Sequence, residues 1–204
     1  TDFVVLELSS FQLMDMSVSP DIAVITNISP NHLDKHKDYQ DYIDAKMAIF
    51  DKQSSSDKLV LNLDDGMTQY YLKSARANVS YFSDKQSVTN GLTCENGLIY
   101  TVNEDNKTYI MQANEIRLPG EHNLLNYLAA FAAVEGLVSY DVCRSVAMEF
   151  AGVEHRLEHV RQLRGVEYIN DSIASSPTRT SAGLHALKTK PIVIAGGYDK
   201  NIPY

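Results

Sequence analysis

Short apolar runs, each closed by turn residues, organise the chain. Phe3-Val4-Val5-Leu6 and Ile22-Ala23-Val24-Ile25 are unbroken and mostly β-branched, the pattern of parallel strands buried on both faces. Leu59-Val60-Leu61-Asn62-Leu63 is a third such run, stopped by Asp64-Asp65-Gly66. Between the second and third, Tyr39, Tyr42, Ile43, Met47 and Phe50 recur at helical spacing. They predict a helix from Asp38, its N-cap, to about Lys52. From Asn78 to Ile116 the pattern shortens to alternating runs separated by Glu95-Asn96-Gly97 and Glu104-Asp105-Asn106-Lys107, which predicts an antiparallel hairpin region. Leu118 to Asn123 reads as a loop entering a helix that runs to Gly136, and a further helix covers roughly Tyr140 to Phe150.

Gly152 to Glu158 reads as a linker into a new unit. Val166-Glu167-Tyr168-Ile169 is a strand, a helix runs from Pro177 through Leu187, and Pro191 to Ala195 is the next parallel strand. The expected fold is therefore α/β, a mostly parallel sheet flanked by helices with an appended antiparallel hairpin region. The start of a second Rossmann-like α/β domain follows. The domains are expected at 1–151 and 152–204.

Composition narrows the function. Of 204 residues, 44% are hydrophobic and 22% charged, and the net charge is −8, which disfavours non-specific nucleic-acid binding. No apolar run approaches the roughly 20 residues of a membrane span, so no membrane partner is expected. Cys94 and Cys143 fit no metal or redox spacing, which points to a reducing, cytoplasmic setting. The absence of an initial Met and the stop just after a glycine turn suggest a piece of a longer protein.

Candidate chemistry gathers where strands end, the usual ligand side of an open α/β sheet. Glu7, Ser9 and Gln12 follow the first run, and Asn31-His32-Leu33-Asp34 follows the second. Taken alone, Glu7 also reads as a solvated strand end and Lys46 as a surface charge. His32 and His36 fall at i and i+4, as do His155 and His159. Neither pair has the metalloprotease Glu or a third ligand cluster, so one His with an oxygen ligand on Mg²⁺ is the sharper expectation. Asn123 and Asn126 share one face of a first helical turn, and their amides suit adenine edges. Capping would account for Asn123 but not for Asn126.

Seven motifs, in order, resemble the Mur ligase family of peptidoglycan synthesis: Glu7-Leu8-Ser9-Ser10-Phe11-Gln12-Leu13, Asn31-His32-Leu33-Asp34, Ala45-Lys46, Gly120-Glu121-His122-Asn123 with Asn126, His155-Arg156-Leu157-Glu158, Asn170-Asp171-Ser172 and Gly196-Gly197-Tyr198-Asp199-Lys200. The resemblance implies an ATP-dependent amide-bond ligase working through an acyl phosphate, most similar to the branch that joins D-glutamate to UDP-N-acetylmuramoyl-L-alanine. It implies two Mg²⁺ ions, one involving Glu7 and one held by His32 and Lys46, with Lys46 as its carbamate. Asn123 and Asn126 would lie by the adenine, and His155, Arg156 and Asp171 would reach the nucleotide from the second domain. Ser9, Gln12 and Ser175 would meet substrate, and Lys200 the D-glutamate carboxylate. A monomer is expected.

Two departures stand beside the likeness. Ile173 occupies a place where the family often has Lys, with Ser175 and Ser176 after it, and no G-x-x-x-x-G-K-[ST] phosphate loop occurs in these residues. The family pattern places that loop upstream. Sister ligases, folylpolyglutamate synthases, a non-catalytic nucleotide-binding fragment and a metal-dependent hydrolase built on His32 and Asp34 remain the alternatives.

Overall fold

The computed structural model describes residues 2–28, 36–104 and 106–197. Its centre is a six-stranded sheet in simple sequential order: β1 (Ile22–Ile25), β2 (Lys58–Asn62), β3 (Asn78–Ser83), β4 (Asn90–Glu95), β5 (Leu98–Asn103) and β6 (Asn106–Gln112). The pairs β1–β2, β2–β3 and β3–β4 are parallel, and β4–β5 and β5–β6 are antiparallel. The expected mixture is present, with one difference. β3, expected within the hairpin region, pairs parallel with β2 instead. The helix α3 (Thr68–Tyr71) between them supplies the crossover that parallel pairing needs.

β2 explains the layering. Its successive side chains point to opposite faces. Leu59 and Leu61 enter a core with Tyr42, Ile43, Phe50 and Tyr71, and Val60 enters another with Phe82, Leu92, Leu128 and Phe131. All three β2 residues are fully buried, which is why the run carries no alternation. The first core is closed by α2 (Tyr39–Met47) and α3, the second by α4 (Glu121–Val134) and α5 (Tyr140–Glu149). At the far end of α4, the Lys58 ammonium donates to the carbonyls of Ala132 and Glu135, both at 3.1 Å. A cation at unsatisfied C-terminal carbonyls is favourable for the helix dipole.

Several expected boundaries move. α2 ends at Met47, and a series of turns carries the chain on to Lys52. The run Phe3–Leu6 is exposed and forms no strand, with Val5 94% exposed. Pro191–Ala195 is likewise unpaired, with Ile192 at 96% and Ile194 at 98%. A strand exists only through a neighbour that takes its backbone hydrogen bonds, and neither run pairs with a described strand. Beyond 152 lies a separate antiparallel pair, β7 (Glu158–Leu163) with β8 (Val166–Asn170), followed by α6 (Pro177–Ala186). β8 and α6 match expectation, whereas β7 was read partly as linker. No described helix is long and apolar enough to cross a membrane.

Candidate functional site

A short helix, α1 (Ser10–Met14), follows Glu7. Its start is a capping box. The Gln12 backbone N–H donates to Ser9 Oγ, and Gln12 Oε1 accepts from the Ser9 N–H and hydroxyl. Ser9 and Gln12, both expected at substrate, are thus bonded to each other at the exposed end of this helix.

The next residue, Ser10, is buried and points the other way. Its hydroxyl is 2.9 Å from His36 Nε2, and His36 Nδ1 is 3.1 Å from Asp41 Oδ2. An ionised carboxylate only accepts, so Nδ1–H donates to Asp41, which leaves Nε2 as the ring atom facing the Ser10 hydroxyl. Asp41 also accepts from the Lys37 N–H, and its pKa is held below the ordinary value by that bond first and by His36 second. The imidazole stacks on Phe11 at 5.2 Å and 15°, and meets the edge of Tyr42 at 5.3 Å and 76°. With both nitrogens bonded inside the fold, His36 is not a metal ligand.

One helical turn beyond Tyr42 stands Lys46. Its ammonium lies 5.9 Å from the Tyr42 ring centroid. Burial lowers the Lys46 pKa, and the Glu7 carboxylate opposes that shift. The two charges are thus near enough to feel each other, though they form no ion pair among the described residues, and Glu7 follows an unpaired segment rather than a strand. His32 and Asp34 lie outside the described residues.

A second grouping forms at the start of α4. Gly120, with φ of +106°, admits the turn, since a Cβ there would fall 2.8 Å from His122 Cε1. Asn123 Nδ2 donates to the Pro119 carbonyl at 2.6 Å, and Asn126 is exposed on the same turn. Burial and then the Arg156 guanidinium lower the His122 pKa, against a smaller pull from Asp171. The charges of Arg156 and Asp171, both beyond residue 152, are thus felt at His122 on α4. Asp171 is held in place as Oδ1 accepts from the Leu157 N–H at 3.1 Å, and a Cβ at Gly183 would stand 2.8 Å from Oδ2. The His155 ring accepts from Asn170 at 2.9 Å, and its backbone takes a left-handed φ of 67°. A cavity of about 340 Å³ lies alongside, lined by His122, Leu125, Ala182 and His185 among others.

The sequence profile of the Mur ligase middle domain matches residues 1–134. The chain belongs to the Mur ligase family. It is 52% identical over its whole length to the UDP-N-acetylmuramoylalanine--D-glutamate ligase of Acetivibrio thermocellus, covering 44% of that protein. It is 53% identical over 203 residues to the same-named ligase of Clostridium beijerinckii, covering 43% of it. The chain thus spans less than half the length of these curated relatives. Among solved structures, MurF ligase from Thermotoga maritima in complex with ADP superposes with a TM-score of 0.59 at 19% identity, over 83% of this chain and 39% of that one. At that identity the likeness speaks for the fold alone.

Within this Mur ligase, Lys200 lies outside the described residues, and Ser175 is exposed beside Ile173, whose carbonyl accepts its N–H at 2.9 Å. Among the described residues no three His, Cys, Asp or Glu side chains gather to hold a metal. The Ser10–His36–Asp41 connection had not been foreseen. Its one local signal was the helix start at Asp38, which puts Asp41 in the first turn of α2. Ser10 is 26 residues from His36, so that link is purely tertiary.

Proposed function

We propose that this chain is the central part of an ATP-dependent ligase that joins D-glutamate to UDP-N-acetylmuramoyl-L-alanine. The observation that carries this reading is the end-to-end identity of 52% with relatives of that name. Membership of the Mur ligase family is what supports nucleotide use. In the reaction a substrate carboxylate takes the γ-phosphoryl group of ATP, releasing ADP. The D-glutamate amine then attacks the acyl carbon, phosphate leaves and a proton is lost.

The donor set fits Mg²⁺, which prefers oxygen ligands. Glu7 offers a carboxylate, and Lys46 would offer oxygens once carbamylated. Burial favours the neutral Lys46 amine. That form attacks CO₂, forming an N–C bond and releasing a proton. Glu7, His32 and carbamylated Lys46 would hold metal that neutralises phosphate charge. Asn126, exposed, would read the adenine, with Asn123, His155, Arg156 and Asp171 beside the nucleotide. Ser9, Gln12 and Ser175 would face substrate and Lys200 the D-glutamate carboxylate. We place the domain boundary at 151/152, and take the protein as a cytoplasmic monomer.

The test is phosphate release by the full-length protein with ATP, Mg²⁺ and UDP-N-acetylmuramoyl-L-alanine, with D-glutamate, L-glutamate, L-lysine or no amino acid added. Release with D-glutamate alone is expected. Release with another amino acid moves the chain to a sister ligase, and release with none makes it a hydrolase.

A further inference from the structure

Glu7 precedes α1 and Lys46 lies on α2, and one buried imidazole touches both helices. Ser10 hangs from His36 Nε2, three residues after Glu7, at the start of α1. On the other side His36 grips α2 twice, through Asp41 in its first turn and through the edge of Tyr42. Tyr42 in turn lies under the Lys46 ammonium. Phe11 closes the second face of the ring. We propose that His36 is a positioning residue, which holds the Glu7 segment and the Lys46 helix in mutual register through Ser10, Asp41 and Tyr42. The inference rests on the ligase reading above and adds a residue to it.

The geometry supports more than packing. An apolar side chain of similar size would fill the space between Phe11 and Tyr42. It would not hold a helix start on one side and a first-turn carboxylate on the other. Both bonds run from a rigid ring, so their directions are fixed relative to each other. A buried hydrogen-bonded link of this kind sets the angle between two elements that otherwise slide on apolar contacts. The segment carrying Glu7 forms no strand, so its placement depends on α1.

The experiment uses the full-length protein and reads Lys46 directly. In bicarbonate buffer the Lys46 carbamate is trapped by O-alkylation with triethyloxonium and quantified by mass spectrometry, beside kcat and KM for ATP. His36→Ala and Ser10→Ala are expected to lower the trapped fraction and kcat by about tenfold, as loss of groups that orient metal ligands does. KM for ATP should stay within about twofold. His36→Gln, which keeps a hydrogen-bonding group near the Nε2 position, should restore part of both. If folded variants keep the wild-type trapped fraction and kcat, the proposal is overturned. Should His36→Ala not fold, Ser10→Ala, which deletes a single hydroxyl, decides on the same criteria. Wild type separates the two readings. Glutamate-dependent release there keeps the ligase reading even when the variants match it, and a wild type lacking both release and carbamate overturns both.

Discussion

Gly91 lies on β4 opposite Tyr81 with φ of +126°, and a Cβ added there would run into the Tyr81 carbonyl oxygen. Nothing can yield, because the obstacle is backbone in a paired strand. Gly91→Ala is expected to destabilise the fold by about 2–4 kcal/mol in urea unfolding, combining backbone strain with a broken ladder. An equally stable variant would mean β3 and β4 separate more easily than their register implies. The functional residues give different expectations. Lys46→Ala should cut kcat of the full-length ligase by about 100-fold or more, and added bicarbonate should not restore it, since no amine remains to carry a carbamate. Retained turnover would end the carbamate reading. Asn126→Ala should raise KM for ATP roughly 2- to 10-fold, the weight of one or two hydrogen bonds, with kcat little changed. An unaltered KM would make Asn126 structural.

The Asp41 carboxylate in the first turn of α2 predicts a pH dependence. Asp41 has its pKa lowered from 3.8, chiefly by the Lys37 N–H and then by His36. A carboxylate whose folded pKa lies below its unfolded one stabilises fully above the unfolded value, and loses that contribution as pH falls through the folded value. Asp41→Asn should therefore flatten the acid limb of the stability curve below about pH 4. An unchanged limb in thermal unfolding would show that Asp41 is not part of it. On the opposite face, Leu128 is fully buried in the α4 core, and Leu128→Ala should cost about 2–5 kcal/mol.

These elements were unequally legible. β1, β2 and the helices α4, α5 and α6 follow from periodicity, because burial on one or two faces writes itself into spacing. α1 escaped although Ser9 and Gln12 stand at capping-box spacing, because an isolated helix of 5 residues has no periodic face to read. Phe3–Leu6 and Pro191–Ala195 read as strands because apolar runs report a tendency to bury, while pairing depends on a neighbour. In the site, Glu7 and Lys46 were visible as residue types. The role of His36 was not, since it exists only where Ser10, Tyr42 and Asp41 meet around one ring.

Across the whole molecule, the groups gathered at His122 come from both sides of residue 152. A nucleotide touching Arg156 and Asp171 as well as α4 would therefore tie the two sheets into one cooperative unit. ADP with Mg²⁺ at a hundredfold over Kd should raise the stability of the full-length protein by about 2.7 kcal/mol. Gly183→Ala, which places a methyl against Asp171, should shrink that gain, as should Arg156→Ala. A thermal shift identical to wild type in both would confine nucleotide binding to the part before 152.

The lysine that caps α4 has a consequence in time. Lys58 and its acceptor Glu135 are 77 residues apart. At a ribosomal rate of about 5–20 residues per second, β2 is made roughly 4–15 s before the carbonyls that its lysine will cap. Through that interval the Val60 side of the nascent sheet waits without its covering helix. That is the window in which a chaperone has most to gain by holding the growing chain.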